Sequence, residues 1–112
     1  MRIDMWLDTC DPWSYLGLRH LRSAMASFDH GDQIEVYLHA YLLDPDLDAP
    51  IDKPRVVALV ESGAATLEEV READDRMRAL GGREGIRFDF DSLIIAPTSR
   101  AHRVIAAAHD AD

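Results

Sequence analysis

The sequence has a single cysteine, Cys10. An internal disulfide is therefore excluded, as is any zinc site built from cysteine pairs. Structural disulfides belong to oxidising compartments, so one thiol fits a reducing one, and the expectation is a cytoplasmic protein. Positive charge is also scarce. Twelve Lys and Arg stand against 21 Asp and Glu, for a net charge of -9. Nucleic acid and anionic membranes are poor partners for such a surface. No apolar run approaches the roughly 18 to 20 residues of a membrane span. The N-terminus lacks the basic segment and apolar run of a signal peptide. Internal repeats and low-complexity segments are absent too. What is present is 47% apolar and 29% charged residues in a chain of 112, ordinary for one small globular domain.

The periodicities then place the elements. Ile3, Met5 and Leu7 alternate with Arg2, Asp4 and Trp6, which predicts a strand over 2–7. A helix is predicted from Pro12 to Phe28, with Leu18, Leu21, Ala24, Met25 and Phe28 on its apolar stripe. Gly17 inside it costs about 1 kcal/mol against Ala, and close packing is the expected reason for it. Ile34, Val36, Leu38 and Ala40 alternate as a second strand. Strand, helix and strand with short links form a βαβ unit with parallel strands. Residues 42–54 read as a loop, and Pro54 to Ser62 as a short helix. Thr66-x-x-Glu69 is a capping box opening a helix with Leu67, Val70, Ala73, Met77 and Leu80 inward, ended by Gly81-Gly82. Ile86, Phe88 and Phe90 alternate as an extended segment. Pro97-Thr98 opens a last helix with Ala101, Val104, Ile105 and Ala108 inward.

The chemistry is expected at Asp8-Thr9-Cys10-Asp11-Pro12-Trp13-Ser14-Tyr15-Leu16-Gly17. Asp is a favoured N-cap and Pro a favoured first helical residue, so Asp11-Pro12 marks a helix start. A strand running into a helix N-terminus exposes backbone N–H groups and the positive end of the helix dipole, which stabilise an anion or a nucleophile there.

That string resembles the active-site turn of the DsbA-like, FrnE-type thioredoxin-fold family, which reads Asp-x-x-Cys-Pro-Trp-Cys-Tyr-Leu/Ile-Gly. Leu43-Asp44-Pro45-Asp46, Gly85-Ile86-Arg87-Phe88-Asp89-Phe90 and Thr98-Ser99-Arg100-Ala101-His102-Arg103 resemble later segments of the same family, in the same order. Two departures stand out. Asp11 and Ser14 occupy the positions of the two family cysteines, and neither forms a disulfide. Cys10 lies one residue before the usual first cysteine. The related kappa-class glutathione transferases and hydroxychromene-carboxylate isomerases carry Ser-Pro-Tyr-Ser here and use glutathione. This chain matches that pattern at Ser14 but not at Asp11.

The resemblance implies an α/β fold: a thioredoxin-like βαβ half over 1–45, then part of a helical insertion over 46–112, truncated before the remaining strands and the cis-proline turn. A two-stranded parallel sheet is small, so a homo-oligomer or a partner chain completing it is the matching expectation.

Each candidate residue has an ordinary role and a functional one. Asp11 caps the helix; its alternative, a general base, is weakened by the dipole that stabilises the carboxylate. Ser14 is an ordinary first-turn residue, or it hydrogen-bonds a glutathione thiolate as the resemblance implies. Cys10 is a small apolar residue, or a monothiol activated by the helix start. Trp13 and Tyr15 pack, or line a substrate groove. The resemblance places Thr98 and His102 on the substrate side, whereas by themselves His102 and His109 read as surface or capping residues. Seven apart and without a third ligand, the two histidines form no metal site, and no cofactor is required. Three functions stay open: a family member with monothiol redox chemistry on peptide or small-molecule thiols, a glutathione-dependent isomerase or transferase with glutathione as co-substrate, and a non-catalytic binding or oligomerisation module.

Overall fold

A computed structural model describes residues 1–111. The element order is β1 (Arg2–Leu7), α1 (Pro12–Ser27), a 3-10 turn (Gly31–Gln33), β2 (Glu35–Ala40), α2 (Arg55–Glu61), α3 (Leu67–Arg83) and α4 (Ser99–Ala111). The chain forms two compact units: Met1–Asp46 together with the segment from Thr98 onward, and Leu47–Pro97. The sequence reading had assigned everything after residue 45 to one helical segment. Instead α4 groups with β1 and β2: His102 Nε2 lies 3.0 Å from Asp8 Oδ1 just after β1, and the His109 ring meets Tyr37 of β2 edge-on with centroids 5.2 Å apart.

In the first unit β1 and β2 pair in parallel, with Arg2 opposite Glu35 and Leu7 opposite Ala40. Period-two alternation puts Ile3, Met5 and Leu7 on one face and Arg2, Asp4 and Trp6 on the other. The second face is a polar and aromatic surface. The Arg2 guanidinium lies 4.0 Å from the centre of the Tyr37 ring. His39 Nε2 is 2.7 Å from Asp4 Oδ1, and the His39 ring stacks on Trp6 with centroids 4.6 Å apart. These polar partners let Trp6 stay exposed.

Helix α1 starts at the predicted cap, and Leu16 is its one buried residue. The predicted stripe is only partly covered: Leu18, Leu21 and Met25 are half-buried, and Ala24 and Phe28 are exposed. Two strands cover too narrow a strip to bury a whole helix face. The expected close approach at Gly17 is also absent, since an added Cβ would meet only the Met5 side-chain tip at 3.6 Å, an ordinary contact. In α4 Ile105 is half-buried as expected and His102 joins it, whereas Ala101, Val104 and Ala108 are exposed, Ala108 at the edge of a cavity that it helps line.

In the second unit the 51–55 and 93–95 segments pair antiparallel. Ile51 N–H donates to the Ile95 carbonyl at 2.8 Å and Arg55 N–H to the Leu93 carbonyl at 2.7 Å. The capping box of α3 forms, with Glu69 N–H donating to Thr66 Oγ1 at 3.1 Å. Val70 and Met77 are buried as expected, but Asp74 joins them while Leu67 and Ala73 are exposed. Burial of Asp74 is supported by Arg55 Nη1, 3.1 and 3.2 Å from its two oxygens. Helix α3 also runs through Gly81-Gly82 to Arg83. Gly81 is a packing residue rather than a stop: a Cβ there would lie 2.6 Å from the Phe88 ring. The 86–90 segment forms no strand, and Phe90 is its buried residue. Among the described residues no helix is long and apolar enough to cross a membrane.

Candidate functional site

The turn between β1 and α1 is closed by its own side chains. Asp11 caps α1, its Oδ1 accepting from Trp13 N–H at 3.1 Å. The other oxygen accepts from the Ser14 hydroxyl at 2.9 Å. Ser14 Oγ in turn accepts from Asp8 N–H at 3.3 Å. The Ser14 proton is therefore committed to a carboxylate, and the first free N–H of the helix is already capped. Asp11 and Ser14, which the sequence resemblance sets at the positions of the two family cysteines, are bonded to each other.

Beneath them lies Asp8, whose side chain is only 2% exposed. Leu43 N–H donates to its Oδ2 at 2.9 Å, and His102 Nε2 lies 3.0 Å from its Oδ1. Burial alone would push this carboxyl up, but hydrogen bonds from Leu43, Thr98, His102 and Cys10 outweigh it and hold the carboxyl at about 2. Asp8 is thus a buried carboxylate joining β1, the loop after β2 and the start of α4. Sequence reasoning had assigned it no role. The available signal was a carboxylate directly after the last buried strand residue, Leu7.

His102, read by itself as a surface or capping residue and by resemblance as lying on the substrate side, has a side chain that is 9% exposed, so the surface reading does not hold. Thr98 joins it on Asp8. Cys10 is exposed; partial burial of its sulfur, then the Asp8 charge and hydrogen bond, push the thiol up to about 11. An activated monothiol needs the opposite shift. Trp13 is exposed at 56%. Tyr15 lines a cavity of about 400 Å³ with Leu7, Ser14, Leu18, Leu38 and Ile105. Arg22, which the helical periodicity sets away from the apolar stripe of α1, also lines that cavity. Among the described residues no group of three or more His, Cys, Asp or Glu could hold a metal ion.

The strand–turn–helix geometry coincides with a family-wide match. The DSBA-like thioredoxin domain family matches this chain over residues 2–112. The chain belongs to that family. A solved DsbA-like structure, a probable DsbA oxidoreductase from Streptomyces coelicolor, is 26% identical and superposes with a TM-score of 0.88. The match covers 98% of this chain and 47% of that one, so the chain spans about half the length of this DsbA-like relative. No curated protein matches it. As a DsbA-like domain, the chain keeps the α/β, thioredoxin-like frame and departs from the dithiol pattern at Asp11 and Ser14.

Proposed function

We propose that this chain is a DsbA-family domain that binds ligands without exchanging disulfides. The observation that carries the reading is the 2.9 Å hydrogen bond between Ser14 and Asp11 at the two dithiol positions. Exchange begins with attack by a thiolate on a disulfide sulfur, and neither residue supplies one. Cys10 does not replace them. With its thiol pushed up to about 11, roughly one molecule in ten thousand carries the thiolate at pH 7. A glutathione thiolate would fare badly at the turn, because the Ser14 proton already serves Asp11 and the incoming anion would face that carboxylate. The Streptomyces relative is a probable DsbA oxidoreductase, the chemistry from which this turn departs.

The test is reduction of insulin disulfides by dithiothreitol with and without the protein, beside glutathione titration followed by Trp fluorescence. The expected result is no acceleration and no saturable glutathione response, whereas the Asp11→Cys/Ser14→Cys variant forms an internal disulfide. Acceleration by the natural chain that disappears in Cys10→Ser would overturn the reading in favour of monothiol redox chemistry.

A further inference from the structure

We propose that the cavity between α1, β2 and α4 binds an apolar monocarboxylate, with its tail among Leu7, Leu18, Leu38 and Ile105 and its charge on Arg22. Leu7, Leu18, Leu38, Ile105 and Ala108 supply the aliphatic part of its lining, and Asp8, Thr9, Ser14 and Tyr15 complete it with Arg22. Arg22 is the one cation among the lining residues. Its guanidinium has no ion-pair or hydrogen-bond partner among the described residues.

Position along α1 sets the ligand's direction and length. Ser14, Leu18 and Arg22 are four residues apart, so they form one stripe on the helix. From Ser14 to Arg22 the axis advances about 12 Å, the reach of a medium-length alkyl chain such as decanoate. The Ser14 end already holds two carboxylates, Asp8 and Asp11, each supplied with hydrogen-bond donors of its own. An anionic head is repelled there and matched at Arg22, where a guanidinium can grip both carboxylate oxygens. Pockets lined mainly by apolar side chains with a few placed polar groups are the usual form of small-molecule sites. The inference rests on the reading of the chain as a binding domain and names its ligand class.

Isothermal titration of the full chain with decanoate tests it. The expected result is one site with a dissociation constant on the order of 10–100 μM. Arg22→Gln, a change at an exposed position, should weaken decanoate about tenfold and leave decan-1-ol binding unchanged. Ala108→Trp, which fills the cavity from α4, should abolish binding of both while the circular dichroism stays native. No decanoate binding, or binding indifferent to Arg22→Gln, overturns the proposal. Either failure leaves the redox-silent reading intact, because the insulin assay decides that separately.

Discussion

His102 Nε2 and Asp8 Oδ1 lie 3.0 Å apart across a separation of 94 residues. The pair fastens α4 to the end of β1, and it is almost closed to solvent. Asp8 also receives Leu43 N–H and Thr98, so one carboxylate serves three parts of the first unit.

That arrangement gives an acid signature. The Asp8 carboxyl falls from an ordinary 3.8 to about 2 on folding. A depressed carboxyl stabilises the folded state above the unfolded pKa, and the contribution is lost as pH falls through the folded one. About 2 kcal/mol should therefore vanish between pH 4 and pH 2. Asp4, held at about 2 by Arg2 and His39, titrates in the same window, so the comparison must be made with Asp8→Asn. Urea unfolding of that variant should show lower stability at pH 7 and a flatter loss below pH 4.

Cys10 should behave as a sluggish thiol. Iodoacetamide should modify it slowly at pH 7, with the rate rising about tenfold per pH unit up to the region of its pKa. Asp8→Asn removes a charge and a hydrogen bond that both raise this pKa, so it should speed alkylation at neutral pH. An equal or slower rate in the variant would contradict the assignment.

The two helical glycines should respond with opposite signs. Gly17→Ala adds a methyl group that finds only ordinary contact with Met5 and should stabilise by up to about 1 kcal/mol. Gly81→Ala drives a methyl group into the Phe88 ring and should destabilise by about 1–3 kcal/mol. Thermal melts of the two variants decide both.

Alternation and capping residues made much of the fold legible. The Ile3–Met5–Leu7 pattern, the Asp11-Pro12 start and the Thr66–Glu69 box are local signals, and each element begins close to where they place it. Burial was harder to read, because it depends on what lies opposite. The α1 stripe is visible in the periodicity, but how much of it two strands can cover is not, and Ala24 and Phe28 stay exposed. Burial of Asp74 on α3 depends on Arg55, nineteen residues away in sequence, which no local pattern reveals. Gly81 resembled a helix stop because nothing in a linear pattern reveals the Phe88 ring against it. At the site, the Asp11–Ser14–Trp13 geometry followed from capping rules, whereas the Asp8–His102 pair joins opposite ends of the chain and lay beyond any local pattern.

The pairing of the 51–55 and 93–95 segments has a consequence for how the first unit assembles. The stretch from Leu47 to Pro97 interrupts that unit, and an unstructured interruption would charge α4 the entropy of a long loop. With the 51–55 and 93–95 segments clasped together, the interruption behaves instead like a short loop. Ordering the inserted stretch first therefore shortens the diffusive search by which His102 finds Asp8.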